Sequence, residues 1–158
     1  MDWLLLATGF TGGLTLVFLV RGVYRRLVTP ASITAYHSPK GGCTDALVRE
    51  LRQARREVLV QAYSFTSKPV AQALIDAKAR GVRVEILLDK SNEQETYTEL
   101  SHFVQQGLTP LIDAHHAIAH NKVMLLDGHT IITGSFNFTQ AGERRNAENL
   151  LVIEAITS

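Results

Sequence analysis

Trp3–Val20 reads WLLLATGFTGGLTLVFLV, 18 consecutive residues without a charge, and no other segment limits the architecture of this chain as sharply. As a helix it would span roughly 27 Å, close to the thickness of a bilayer's hydrocarbon. Arg21, Arg25 and Arg26 follow at once. A cleaved signal peptide calls for a basic start and a small-residue cleavage site, whereas this chain opens Met1-Asp2 and places arginines where cleavage would fall. The expectation is one N-terminal transmembrane helix over residues 1–20, a single-pass anchor, with the flanking arginines holding the remainder on the cytoplasmic side. Gly9 and Gly13 form a GxxxG pair that would let two such helices approach closely. Residues 21–31 read as a juxtamembrane linker, which leaves 32–158 as one domain of the 158-residue chain.

Within that domain, β-branched and aromatic runs predict strands at Ser32–Tyr36, Val58–Phe65, Val82–Leu88, Leu111–Ile112, Lys122–Leu126, Thr130–Phe136 and Asn149–Ile153. Helices are expected from Thr44 to about Arg56, from the Thr66/Ser67 cap to Gly81, and over Glu95–Gln106. Strands alternate with helices first, and a hairpin follows. This is the pattern of an α/β sandwich, with a mixed sheet parallel in its early part. Runs such as VMLL and ILL are apolar at successive positions, so helices are expected on both faces.

The net charge is +1, so anion preference must come from local arrangement. A single cysteine, Cys43, excludes an internal disulfide and a Cys-rich zinc site. The chemistry-bearing stretch is His120–Asn137, HNKVMLLDGHTIITGSFN. His120 and Lys122 alternate on one strand, as do Ser135 and Asn137 on the next, and Asp127-Gly128 signals the hairpin between them. A two- or four-residue loop brings all four side chains to one face, while an odd loop separates them. An imidazole, an ammonium, a hydroxyl and a carboxamide together suit a phosphodiester. No acidic or histidine cluster with metal-ligand spacing lies beside them, so no cofactor or metal is expected. His115 and His116 are expected to line the loop entering the active strand.

His120-x-Lys122-x4-Asp127 followed by Gly134-Ser135-x-Asn137 resembles the HKD signature of the phospholipase D superfamily. Ala62–Thr66, Gly134–Thr139 and Glu148-Asn149 are similar to the small bacterial endonucleases and to the mitochondrial Zucchini-type enzymes of that superfamily. The resemblance covers about residues 32–154 and implies a phospholipase D-like fold. It implies that His120 is the nucleophile of a phosphohistidine intermediate, and that Lys122 and Asn137 hold the phosphate with support from Ser135. It further implies that Glu148 hydrogen-bonds His120, and that Asp127 belongs to the catalytic signature in a structural or indirect role. Two-copy relatives carry a pair of HKD motifs, and this chain carries one. The resemblance therefore implies a homodimer with the active site at its interface. The expected substrate is DNA or RNA, and the alternative is a membrane phospholipid such as phosphatidylcholine or cardiolipin. Relatives continue past the last strand into a helix, so the face it would cover is expected to be open or met by a partner.

Overall fold

A computed structural model describes residues 32–93 and 98–155. The anchor expected over residues 1–20 and the linker over 21–31 lie outside the described residues, within which no helix is long and apolar enough to cross a membrane.

Ser32–Glu154 forms one compact unit built on a seven-stranded sheet. The strands are β1 (Ser32–His37), β2 (Glu57–Ala62), β3 (Arg83–Asp89), β4 (Leu111–Asp113), β5 (Lys122–Leu126), β6 (Thr130–Gly134) and β7 (Asn149–Glu154). Their order is β1-β7-β6-β5-β2-β3-β4. β2, β3 and β4 run parallel, and every other pairing is antiparallel. The parallel half is connected through α1 (Cys43–Gln53), α2 (Lys68–Ala79) and α3 (Leu100–Gln105), as parallel strands need crossovers. A short helix α4 (Gln140–Arg144), absent from the sequence expectation, joins β6 to β7.

α1 buries Cys43, Ala46, Leu47, Glu50 and Leu51, the i, i+3, i+4, i+7, i+8 stripe of an amphipathic helix. That stripe meets Val70 and Leu74 of α2, with Val58, Val60 and Ala62 of β2 beneath them, in a single hydrophobic cluster. Each such fully buried Leu or Phe contributes about 1.5–3 kcal/mol. Desolvation in this cluster pushes the Cys43 thiol up to about 11, so it packs as a neutral apolar group.

The helices were expected on both faces, and here the structure differs. Among the described residues they cover one face only, because every strand residue in the core cluster points the same way. The other face carries Leu59, Leu87, Leu111, Val123 and Leu125, which line an open apolar groove of about 540 Å³. The apolar character of both faces was legible; what covers the second face was not.

α1 ends at Gln53, short of the expected Arg56, because the Arg55 and Arg56 amides are taken by a side chain from another element. That side chain is Asp127, at the tip of the β5–β6 hairpin. Asp127 (φ 53°) and Gly128 (φ 75°) occupy left-handed positions, and the His129 N–H closes the turn on Leu126 O at 3.1 Å.

Candidate functional site

Seven strand ends gather on one side of the sheet: the C-termini of β1, β2, β3, β4 and β6, and the N-termini of β5 and β7. β5 enters here. Ala62 pairs with Lys122, and Tyr63 N–H donates to Asn121 O at 3.0 Å. The ring of Tyr63 meets His120 edge-on, 4.5 Å between centroids at 62°. Lys122 Nζ sits 5.0 Å above the same ring and donates to His120 O at 2.8 Å. His120 is exposed, whereas Lys122 retains only 6 % of its surface. Burial pulls the Lys122 pKa down, and the charge on Glu148 opposes that pull. Among the described residues no carboxylate comes close enough to form an ion pair with Lys122.

The route to the second motif differs from the expectation. Leu126 pairs with Thr130, so the hairpin loop has three residues, Asp127–His129. This odd loop is the case in which strand alternation alone separates His120 and Lys122 from Ser135 and Asn137. Its cause is Asp127. The Asp127 N–H is drawn to Glu57 O at 2.9 Å, leaving His129 as an extra residue before the ladder resumes.

The second motif is linked to Lys122 instead through Gly134 and Glu148. Continuing the register sets Lys122 opposite Gly134, which pairs with Leu150 of β7. Glu148, two residues before Leu150, therefore projects to the same face as Lys122. Past Gly134 the chain leaves the ladder, and the Asn137 N–H donates to Glu148 Oε2 at 2.6 Å. Asn137 Oδ1 is buried and has no hydrogen-bond partner among the described residues. Ser135 Oγ donates to Asn149 Oδ1 at 2.9 Å and accepts the Asn149 N–H at 3.0 Å. Ser135 is thus held on the lip of a polar hollow of about 310 Å³ that it shares with His37, Ser38, Glu148 and Asn149.

Gly134 is required at this crossing. Its φ is 152°, and a Cβ would lie 2.2 Å from Asn149 O. Gly134→Ala is expected to lower stability by about 2–3 kcal/mol, read as a fall in the urea midpoint. A variant as stable as the wild type would contradict this close approach.

The role expected of Glu148 is corrected, and that of Asp127 is structural, as its place at the hairpin turn implied. Glu148 was expected to hydrogen-bond His120. Its Oε2 instead accepts the Asn137 N–H, and its Oε1 accepts from Asn146 Nδ2 at 2.6 Å. Asp127, grouped with the catalytic residues from its place in the signature, lies at the far end of β5 from Lys122. Its carboxylate accepts the N–H groups of Arg55, Arg56 and Glu57 at 2.9, 2.7 and 3.0 Å. The side chain is a fold bracket and touches nothing in the site.

Sequence reasoning gave no role to Tyr63, Ser38, Asn146 or Asn149. Tyr63 lies at the end of a clear strand and Asn146 two residues before Glu148, but neither position announces its partner. Ser38 Oγ donates to Asn146 O at 2.9 Å and accepts the Glu148 N–H at 3.2 Å, spanning more than 100 residues of sequence. His115 and His116 sit where expected, on the exposed loop before His120. Asp113 holds that loop, accepting both of their N–H groups and pairing with His116 Nδ1 at 2.8 Å.

A family model described as "Cardiolipin synthase, PLD-like domain" matches residues 47–157. The chain is 42% identical over 123 residues to a phospholipase D of Rickettsia typhi, covering 78% of this chain and 60% of that protein. It is 27% identical over 104 residues to the mitochondrial cardiolipin hydrolase of Xenopus tropicalis, covering 66% and 50%. The chain thus spans about three fifths of the length of the Rickettsia relatives it matches. Among solved structures it is similar to Nuc from Salmonella typhimurium, titled a phospholipase D family member. That likeness has a TM-score of 0.75 at 32% identity, covering 80% of this chain and 85% of that one. NucT from Helicobacter pylori shares the fold, with a TM-score of 0.68 at 20% identity, covering 80% and 87%.

Proposed function

Because the chain belongs to the phospholipase D-like family, we propose that it is a phosphodiesterase in which His120 attacks phosphorus, with DNA or RNA as substrate. The observation that carries this reading is Lys122: a buried ammonium whose protein partners are a carbonyl and an aromatic face. A buried charge without a counter-ion is unfavourable, and an arriving phosphate supplies one. The exposed imidazole of His120 stands beside it, its ring inclined at 62° to that of Tyr63.

In this reading an imidazole nitrogen of His120 forms a bond to phosphorus as the P–O bond to the leaving group breaks. Water then attacks phosphorus, forming a P–O bond as the P–N bond breaks, and releases the phosphomonoester and the free imidazole. Lys122 and the Asn137 carboxamide stabilise the charge on the non-bridging oxygens. Ser135 lines the entrance, and Glu148 fixes the Asn137 backbone while tempering the desolvation of Lys122.

The leaving oxygen requires a proton, and the chain brings one such histidine. A homodimer related by a two-fold axis supplies the second, with the two His120 rings sharing one phosphoryl centre. Specific activity should then fall on dilution below the dimer dissociation constant, and a bell-shaped pH profile follows from one neutral and one protonated ring. Residues 3–20 anchor this enzyme in a membrane, with the catalytic domain on the cytoplasmic side.

The deciding experiment incubates the purified protein with single- and double-stranded DNA and RNA in the presence of chelator. Cleavage supports the reading, and inert nucleic acid with turnover of phospholipid vesicles overturns the substrate assignment. The vesicle arm matters because the Rickettsia relatives carry the name phospholipase D, which favours a membrane phospholipid as the second reading.

Lys122→Met should separate chemistry from folding. The charged form of Lys122 is disfavoured by burial, so folding is strained by keeping it protonated below its folded-state pKa. Removing the charge is expected to leave the thermal midpoint unchanged or raised, while kcat falls about 10²–10³-fold. Retained kcat in a folded Lys122→Met protein would remove Lys122 from the mechanism.

A further inference from the structure

Asp89 is the last residue of β3 and only 3 % exposed. Its Oδ2 accepts the Ala119 N–H at 2.7 Å, and its Oδ1 accepts the Ser91 N–H at 2.9 Å. Ala119 immediately precedes His120. Burial pushes the Asp89 pKa up, but the N–H bonds from Ala119 and Ser91, together with the Ser91 side chain and the Lys90 charge, outweigh it and hold the group below the usual carboxylate range. Asn92, fully buried, donates from Nδ2 to Tyr63 O at 2.6 Å and to Asp89 O at 3.0 Å. Tyr63 in turn packs its ring on His120 and donates its N–H to Asn121 O. One buried polar pair therefore grips the peptide before His120, and the strand end whose ring and N–H engage His120 and the residue after it.

The same segment is held farther from His120 by Asp113, at the His115 and His116 N–H groups, and by Lys90 Nζ at His116 O, but packing adds little. Residues 114–118 are all exposed, so the approach to His120 buries almost no apolar surface. Segments of this kind take their geometry from hydrogen bonds rather than packing. A carboxylate at the end of β3, inside the sheet's connection rather than in the hollow, is well placed to supply it.

We propose that Asp89 is a positioning residue for His120: through the Ala119 N–H, and together with Asn92 acting on Tyr63, it sets the direction of the imidazole. This rests on the reading that His120 attacks phosphorus. A nucleophile displaced by about 1 Å can lose about 10²-fold in rate while substrate binding persists.

The test uses full-chain Asp89→Ala and Asp89→Asn with bis(4-nitrophenyl) phosphate as the diester. The His120 ring protons are followed by NMR in parallel. Asp89→Ala should lower kcat about 50–100-fold with KM within twofold. Asp89→Asn, which keeps one oxygen to accept the Ala119 N–H, should recover to within about tenfold of wild type. In Asp89→Ala the His120 ring resonances should lose the shift imposed by the Tyr63 ring. A folded Asp89→Ala protein with kcat within threefold of wild type, or with unmoved His120 resonances, overturns the proposal. If Asp89→Ala does not fold, Asp89→Asn and Asn92→Ala decide it, an unchanged kcat in both being the overturning result. If the wild type itself leaves the diester intact, the functional reading fails, and the NMR arm still reports on positioning.

Discussion

His120→Ala is expected to lower kcat by at least about 10⁴-fold without unfolding the protein. The size follows from the role. The covalent intermediate is assigned to His120, and neither Ser135, bonded to Asn149 in both directions, nor the Asn137 carboxamide can take over that bond. The indifference of stability follows from exposure. His120 projects to solvent and its described ring contact is one edge of Tyr63, so truncation should shift stability by no more than about 0.5 kcal/mol. Two measurements check this: steady-state turnover, and trapping of labelled phosphate on the enzyme by quenching into alkaline denaturant, where a P–N bond survives. Label that persists in His120→Ala places the covalent bond elsewhere. Turnover above about one per cent of wild type would remove His120 from the central role.

The second large effect falls on stability. Asp127→Ala is expected to cost about 3 kcal/mol and to lower Tm by roughly 10–15 °C, while the folded fraction keeps its specific activity. Three backbone N–H groups, those of Arg55, Arg56 and Glu57, converge on this one carboxylate, and Arg56 also bonds the Asp127 carbonyl. Without it, the amides between α1 and β2 lose their acceptors, and a left-handed backbone position must be held by alanine. The sign with pH is fixed by the same contacts. Burial raises the Asp127 pKa, but the three N–H bonds outweigh it and depress the folded-state value. The carboxylate therefore contributes its full stabilisation above its unfolded value near 3.8 and loses it as pH falls through the lower folded value. Wild type and Asp127→Ala should converge in stability in that acid range and diverge above it. A folded Asp127→Ala protein with activity reduced a hundredfold would return this residue to the site and contradict the placement described above.

Particular residues explain what could be read in advance. The strands were legible because their β-branched runs alternate or stay apolar: EVLVQA and KVMLL carry their burial pattern on their face. His120 and Lys122 were expected to alternate on one strand, but β5 begins at Lys122 and His120 lies just before it, exposed where Lys122 is buried. The hairpin register was not legible, because the extra residue His129 follows from the Asp127 backbone bonding to Glu57, seventy residues away. α4 escaped notice because QAGER is five residues long and contains a glycine, too short for any periodicity. The partner of Glu148 was misassigned because its neighbours Ser38, Asn137 and Asn146 come from separate segments that only the folded chain assembles. The four side chains were grouped by an argument from strand alternation that the three-residue loop invalidates. What links the second motif to Lys122 is Glu148, which bonds the Asn137 N–H and acts on Lys122 by its charge.

The direction of β1 separates the start of the described chain from the hollow. Ser32 lies opposite Glu154 and His37 opposite Asn149, so the strand begins at the rim remote from the hollow and travels about 20 Å before arriving there. A reporter dye attached at Ser32 therefore stands a full strand length away and should leave turnover untouched, whereas the same dye at His37 lands on the lining itself and should obstruct it.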